Sequence, residues 1–106
     1  RIEYDLVPFC RARNIPIMAY SPIEQGRLLG VAALKEVAQR HGATTAQVAL
    51  AWLLGEPATI VIPKATNPAH VRENFAALDL RLTDDDRAII DRAFPPPNKK
   101  YALEML

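Results

Sequence analysis

Cysteine is nearly missing from this chain: Cys10 is the single one in 106 residues. One thiol closes no internal disulfide, and no second Cys and no His stands at metal-ligand spacing from it. That fits a reducing, cytoplasmic setting in which Cys10 is a small buried thiol. Long apolar runs are missing too. The longest, Val48 to Leu54, falls far short of the ~18 consecutive apolar residues of a membrane span, so no membrane partner is expected. Charge of one sign does not accumulate either. Thirteen Lys and Arg are interspersed with twelve Asp and Glu for a net charge of +1, which leaves no basic stripe for nucleic acid and no acidic arm. There is no internal repeat and no low-complexity linker. What is present is 50% apolar and 24% charged, enough for one modest core and at most one domain. The chain opens on Arg1 and is expected to be a fragment of something larger.

Local signals divide the chain into short elements. Asp5 is placed to cap a first helix with Pro8 in its opening turn, Val7, Phe9 and Cys10 supply its apolar faces, and Asn14 and Pro16 stop it. Ile15, Ile17, Met18, Ala19 and Tyr20 read as a strand buried on both faces. A loop from Ile23 to Gly30 follows, with Gly26 and Gly30 as its flexible points. Val31, Leu34, Val37, Ala38 and His41 recur at helical spacing, and Gly42 stands where a helix ends. His41, without polar companions at that spacing, reads as a helix-end residue. Thr44 with Gln47 forms a reciprocal capping pattern ahead of a mostly buried helix from Val48 to Leu54, broken by Gly55, Glu56 and Pro57. Residues 59–63 are β-branched and apolar and suit an interior strand. Asn67 before Pro68 starts a further helix, with Val71, Phe75 and Leu78 as its expected buried stripe. Thr83 followed by Asp84, Asp85 and Asp86 starts the last helix, since negative charge suits the positive end of the backbone dipole. The aspartates are read as that start, not as a metal site. Ile89, Ile90 and Ala93 are its expected inner face.

This alternation is the rhythm of parallel strands joined by helical crossovers. Two strands alone cannot form a sheet covered on both faces, and a (β/α)8 TIM barrel needs about 250 residues. The expected fold is therefore α/β, the C-terminal part of such a barrel, with two parallel strands and crossover helices. Chemistry in these barrels sits on the loops after the strands, which here begin at Ser21-Pro22 and at Lys64-Ala65-Thr66.

The second of those loops has the makings of an anion site. A helix that starts after a strand turns its free amides, carrying roughly half a positive charge, toward the mouth of the sheet. Lys64 adds a full charge there, and Thr66 and Asn67 can offer hydroxyl or amide groups to the same oxygens. His70, Glu73 and Asn74 share one helix face, distinct from that of Val71, Phe75 and Leu78. An imidazole can stack on a base, and a carboxylate beside a carboxamide can bond the edge of an adenine. A solvated helix side with an incidental lysine accounts for the same spacing.

The stretches "AYSP" (19–22), "AQVALAWLL" (46–54), "IPKATNPAHVREN" (62–74) and "LTDDD" (82–86) stand in an order and at intervals that resemble the C-terminal portion of the aldo-keto reductase family. The resemblance covers essentially the whole chain. "IEYDLVPFCRARNIPIMAYSP" (2–22) and "FPPPNKKYALEML" (94–106) are most similar to its bacterial methylglyoxal and aldehyde reductase branch. The resemblance implies a barrel that passes a hydride from NADPH to a carbonyl. By position it implies that Tyr20 stacks on the nicotinamide and that Ser21, Pro22, Ile23, Gln25 and Leu28 lie on the loop around the pyrophosphate, acting largely through backbone. It further implies that Lys64, with Ala65 and Thr66, meets the adenosine 2′-phosphate, and that Glu73 with Asn74 reads the adenine.

Two positions depart from the family pattern, which has serine where this chain has Ala65 and arginine where it has His70. Both changes weaken the hold on a 2′-phosphate. Arg72 projects about 200° away from His70 around a helix and is a poor substitute. No Tyr, Lys or His matches the family's catalytic tetrad, so no catalytic residue is assigned and the chain alone is expected to be inactive.

Residues 1–106 are thus expected to be the C-terminal fragment of an NAD(P)H-dependent reductase of small aldehydes or ketones, with 95–106 as a tail that shapes the substrate pocket. The cofactor is NADP(H), with NAD(H) as the alternative. The expected partners are the small carbonyl substrate and either the missing N-terminal barrel half or further copies of the chain. The competing expectation is a non-catalytic nucleotide-binding or assembly module derived from the same family.

Overall fold

In the computed structural model, which describes residues 2–102, the elements follow one another as α1 (Leu6–Ala12), β1 (Ile17–Ala19), a 3-10 segment (Glu24–Gly30), α2 (Ala32–His41) and α3 (Thr45–Leu54). Then come β2 (Thr59–Val61), α4 (Pro68–Ala76), a 3-10 turn (Ala77–Asp79) and α5 (Asp84–Ala93). Reciprocal capping starts two of the helices. Thr44 accepts from the Gln47 amide at 3.2 Å while its own amide donates to Gln47 Oε1 at 3.0 Å. Thr83 and Asp86 repeat the arrangement at 3.1 and 2.9 Å. Each pair satisfies two amides that a helix start would otherwise leave unbonded. Gly42 ends α2 in the left-handed region, at φ 59°, where a side chain would be strained.

β1 and β2 pair in parallel, with Ile17 opposite Thr59, Met18 opposite Ile60 and Ala19 opposite Val61. The core does not lie on this pair. It sits among the helices, where Leu34, Val37 and Ala38 of α2, Val48 and Ala49 of α3, and Ile89 and Ile90 of α5 close on one another. Trp52, Leu80 and Leu82 pack around them. Burying a Leu or Val side chain of this kind contributes roughly 1.5–3 kcal/mol, so the helical layer holds itself together while the strands ride on it.

Several expectations are corrected. The first strand is shorter than read, and it is not buried on both faces: Met18 is 59% exposed and Ile15 and Tyr20 are also open. Its register partner Ile60 is exposed as well, so one face of the pair is bare. The second strand ends at Val61 rather than at residue 63, although the Ile62 amide still donates to the Ala19 carbonyl at 3.0 Å. Pro63 has no amide to carry the ladder further. The loop from Ile23 is largely 3-10 helix, kinked where Gln25 and Gly26 take positive φ.

The expected stripe of α4 is not buried: Phe75 is 73% exposed, with Val71 and Leu78 about half so. Helical periodicity puts these residues on one face, but no described element lies over it. In α5 the inner face stops at Ile89 and Ile90, since Ala93 is exposed. In α1 only Cys10 is buried, and Phe9 instead lies under the Arg13 guanidinium, 3.9 Å from its ring centre. Asp5 holds the N-cap position but makes no side-chain cap. Its carboxylate accepts from Lys100 Nζ at 2.9 Å, tying the tail back to the start of the chain.

Candidate cofactor site

The Ile62–Ala19 bond sets the carboxyl ends of the two strands side by side. From the first end Tyr20 projects an exposed ring, followed by half-buried Ser21 and buried Pro22. Ile23 and Leu28 pack against the helical core, so whatever they offer a ligand is offered by their backbone. Gln25 is exposed and sits at φ 55°, a left-handed conformation uncommon for a side-chain-bearing residue.

From the second end emerge Lys64 and Thr66, both exposed, and Ala65, half-buried. No carboxylate pairs with Lys64 among the described residues. Asn67 caps α4, its Oδ1 accepting from the Ala69 amide at 2.9 Å. The carboxamide oxygen is therefore committed, and only its amino group is left to donate. Pro68 has no amide and Ala69's is capped, so of the four amides at the helix start those of Asn67 and His70 are left for a ligand. The helix end is a narrower anion site than its position implied.

On α4, His70 Nδ1 lies 3.0 Å from Glu73 Oε2. The carboxylate can only accept, so the ring nitrogen donates. Asn74 does not stay with these two. It lines a groove of about 500 Å³ between β2 and α4 together with Ile60, Ala65, Val71, Phe75 and Leu78. The pair Glu73–Asn74 thus straddles the polar face and the apolar groove. These residues suit a dinucleotide phosphate: Lys64 is exposed and has no carboxylate partner among the described residues, and an aromatic ring stands open at the neighbouring strand end.

Two contacts were not legible from spacing. Asp86 is 1% exposed, and its Oδ2 meets His41 Nε2 at 2.6 Å, with Arg40 Nη1 3.5 Å from Oδ1. Burial alone would push the Asp86 carboxyl up; bonds from the Thr83 amide, His41 and the Thr83 hydroxyl reverse that and lower it to about 2. His41 does end its helix, as read, but it also locks α2 to α5. The Thr-x-x-Asp spacing from Thr83 was the available signal for Asp86; nothing local marked His41. The second contact is a bond from Gln47 Nε2 to the Glu73 carbonyl at 3.1 Å.

A parallel strand pair crossed by helices, with two loops emerging together from the strands' carboxyl ends, is the pattern of a segment of an α/β barrel. Residues 1–94 match the model of the aldo/keto reductase family, and the chain belongs to that family. It is 44% identical to methylglyoxal reductase YeaE of Escherichia coli, a match that covers 99% of this chain and 39% of that protein. An uncharacterised oxidoreductase of Bacillus subtilis, YtbE, is 37% identical over 84% of this chain and 31% of its own length. Among solved structures, an aldo/keto reductase from Klebsiella pneumoniae in complex with NADP and acetate superposes with a TM-score of 0.94 at 42% identity, covering 99% of this chain and 39% of that one. The matches therefore cover between 31% and 39% of the length of these relatives, and the chain's strands and helices are the corresponding part of their barrel.

Proposed function

We propose that this chain is the dinucleotide-holding part of an NADPH-dependent reductase of small aldehydes or ketones, complete only together with the rest of its barrel. The observation that carries this reading is the Ile62–Ala19 bond at 3.0 Å, which lets the loops after both strands serve one elongated ligand. The nicotinamide, when bound, supplies the hydride. Tyr20 offers its open ring as the stacking platform that orients that face, and the backbone from Ser21 through Pro22, Ile23, Gln25 and Leu28 lines the pyrophosphate. Lys64 pairs with the 2′-phosphate, helped by Thr66 and the backbone at Ala65. Glu73 and Asn74 take the adenine edge, and His70 flanks it. NADP in the Klebsiella relative and the name of the Escherichia coli relative support the cofactor and the small carbonyl. NAD(H) is the weaker alternative, favoured by Ala65 in place of a serine and His70 in place of a guanidinium. The proton for the product oxygen comes from outside this chain, which on its own does not turn over. A cytoplasmic location accords with the lone cysteine. The test is oxidation of NADPH and of NADH by the complete protein with methylglyoxal and other small aldehydes. NADPH turnover is expected, and its absence with both cofactors would remove the assignment.

A second reading has its own observation, the bare face formed by Met18, Ile60, Val71 and Phe75 of α4, and Leu78 of the turn after it. A chain that exists at this length would cover that face by assembly and act as a nucleotide-binding or assembly module. NADPH binding without turnover by any assembled form supports it; turnover eliminates it.

A further inference from the structure

Gln47 has two jobs that its capping pattern does not distinguish. Its Oε1 accepts from the Thr44 amide at 3.0 Å, while its Nε2 donates to the Glu73 carbonyl at 3.1 Å, 26 residues away. The acceptor it meets is an unusual one. In a continuing α-helix the Glu73 carbonyl would receive the Ala77 amide. Here α4 tightens into the 3-10 turn at Ala77–Asp79, and the Ala77 amide goes to the Asn74 and Phe75 carbonyls instead. The Glu73 carbonyl is left open at the point where the helix changes pitch, and Gln47 fills it from a neighbouring helix. The end of α3 that supplies Gln47 is anchored in the core through Val48 and Ala49. The groove-lining face of α4 has no comparable anchor, since Val71 and Phe75 are exposed.

We propose that Gln47 is a positioning residue for the cofactor, fixing the backbone of α4 at Glu73 so that the Glu73 and Asn74 side chains meet the adenine edge in register. The inference rests on the reading that these two residues face the adenine, and it adds a residue that touches no part of the ligand. Glu73 also carries His70 at 3.0 Å, so a small rotation of α4 would move the whole polar triad together.

Substitution at Gln47 separates the two jobs. Gln47→Glu keeps an acceptor for the Thr44 amide, and therefore the cap, but replaces the donor to Glu73 with an oxygen that repels its carbonyl. Gln47→Ala removes both. The readout is adenine recognition in the complete protein, taken as the ratio of dissociation constants for NADPH and for its analogue with hypoxanthine in place of adenine. Hypoxanthine turns an acceptor toward Glu73 where adenine turns an amine, so the unsubstituted protein is expected to prefer NADPH. Gln47→Glu is expected to keep the wild-type melting temperature, weaken NADPH by about three- to tenfold and erode the preference by a similar factor. A purely structural role would lower the melting temperature and leave the preference intact. Wild-type preference in Gln47→Glu overturns the proposal while leaving the adenine reading in place. Equal binding of the two nucleotides by the unsubstituted protein overturns both.

Discussion

At the scale of single residues, the charge at Asp86 has the plainest consequence. Its carboxyl is lowered from 3.8 to about 2 in the folded chain, so the unfolded chain binds the proton more readily. The stabilisation is complete above about pH 5 and fades as the pH falls from about 4 toward 2. That difference corresponds to roughly 2–3 kcal/mol. Asp86→Asn keeps an acceptor for the Thr83 amide but no charge for His41 and Arg40. Denaturant unfolding at a series of acid pH values should show the wild-type loss and a flatter profile in the variant; parallel profiles would mean that other carboxylates carry the acid limb. His70 is the second residue with a directed consequence. Arginine there brings a permanent, forked charge, so His70→Arg is expected to tighten NADPH by about three- to tenfold and leave NADH unchanged. Equal shifts in fluorescence titrations of the two would show that residue 70 does not meet the 2′-phosphate.

Elements are the scale at which local sequence and local structure agree best. Asn14 takes φ 53° after α1, Gly42 takes φ 59° after α2, and Thr44 and Thr83 start helices where their spacing to Gln47 and Asp86 requires. All are decided within four residues by sterics and one or two hydrogen bonds. Thr44→Ala should lower the unfolding free energy by about 1 kcal/mol through the lost cap. Gly42→Ala should do about the same with no clash involved, because open space surrounds a Cβ built there and the whole penalty lies in the left-handed backbone. A neutral Gly42→Ala in chemical denaturation would mean that the turn relaxes to another conformation. Element type was legible for the α-helices and strands but not for the 3-10 segment Glu24–Gly30, which reads as a loop, and element length was less legible still. Residues 15–20 and 59–63 have strand composition throughout, but pairing stops where Pro63 ends the supply of amides and where the chain turns into its loops.

For the whole molecule, the bare sheet face and the open side of α4 are the dominant feature. Phe75, Val71, Leu78, Met18 and Ile60 leave a cluster of large apolar side chains open to solvent, the kind of surface that marks an interaction or association site. The isolated 106 residues are expected to self-associate, and Phe75→Glu combined with Val71→Lys should shift light scattering toward the monomer without loss of helical circular dichroism. Scattering unchanged by the double substitution would place the sticky surface elsewhere, most simply on the unpaired strand edges. Helical periodicity named the α4 stripe correctly as one face and wrongly as a buried one. Periodicity reports which side chains point together, whereas burial depends on what another part of a chain brings to that side.

From the residues alone came the caps, the helix stops, the alternation of strand and helix, and the ordered motifs that pointed to an aldo/keto reductase barrel, because each depends on groups a few positions apart. The meeting of His41 with Asp86, the reach of Gln47 to Glu73, the division of Glu73 and Asn74 between a polar face and a groove, and the siting of the core among helices rather than on strands came only with the folded chain. Those pairs lie 45 and 26 residues apart, or depend on which face meets which layer, and no local preference encodes a distance that packing has yet to close.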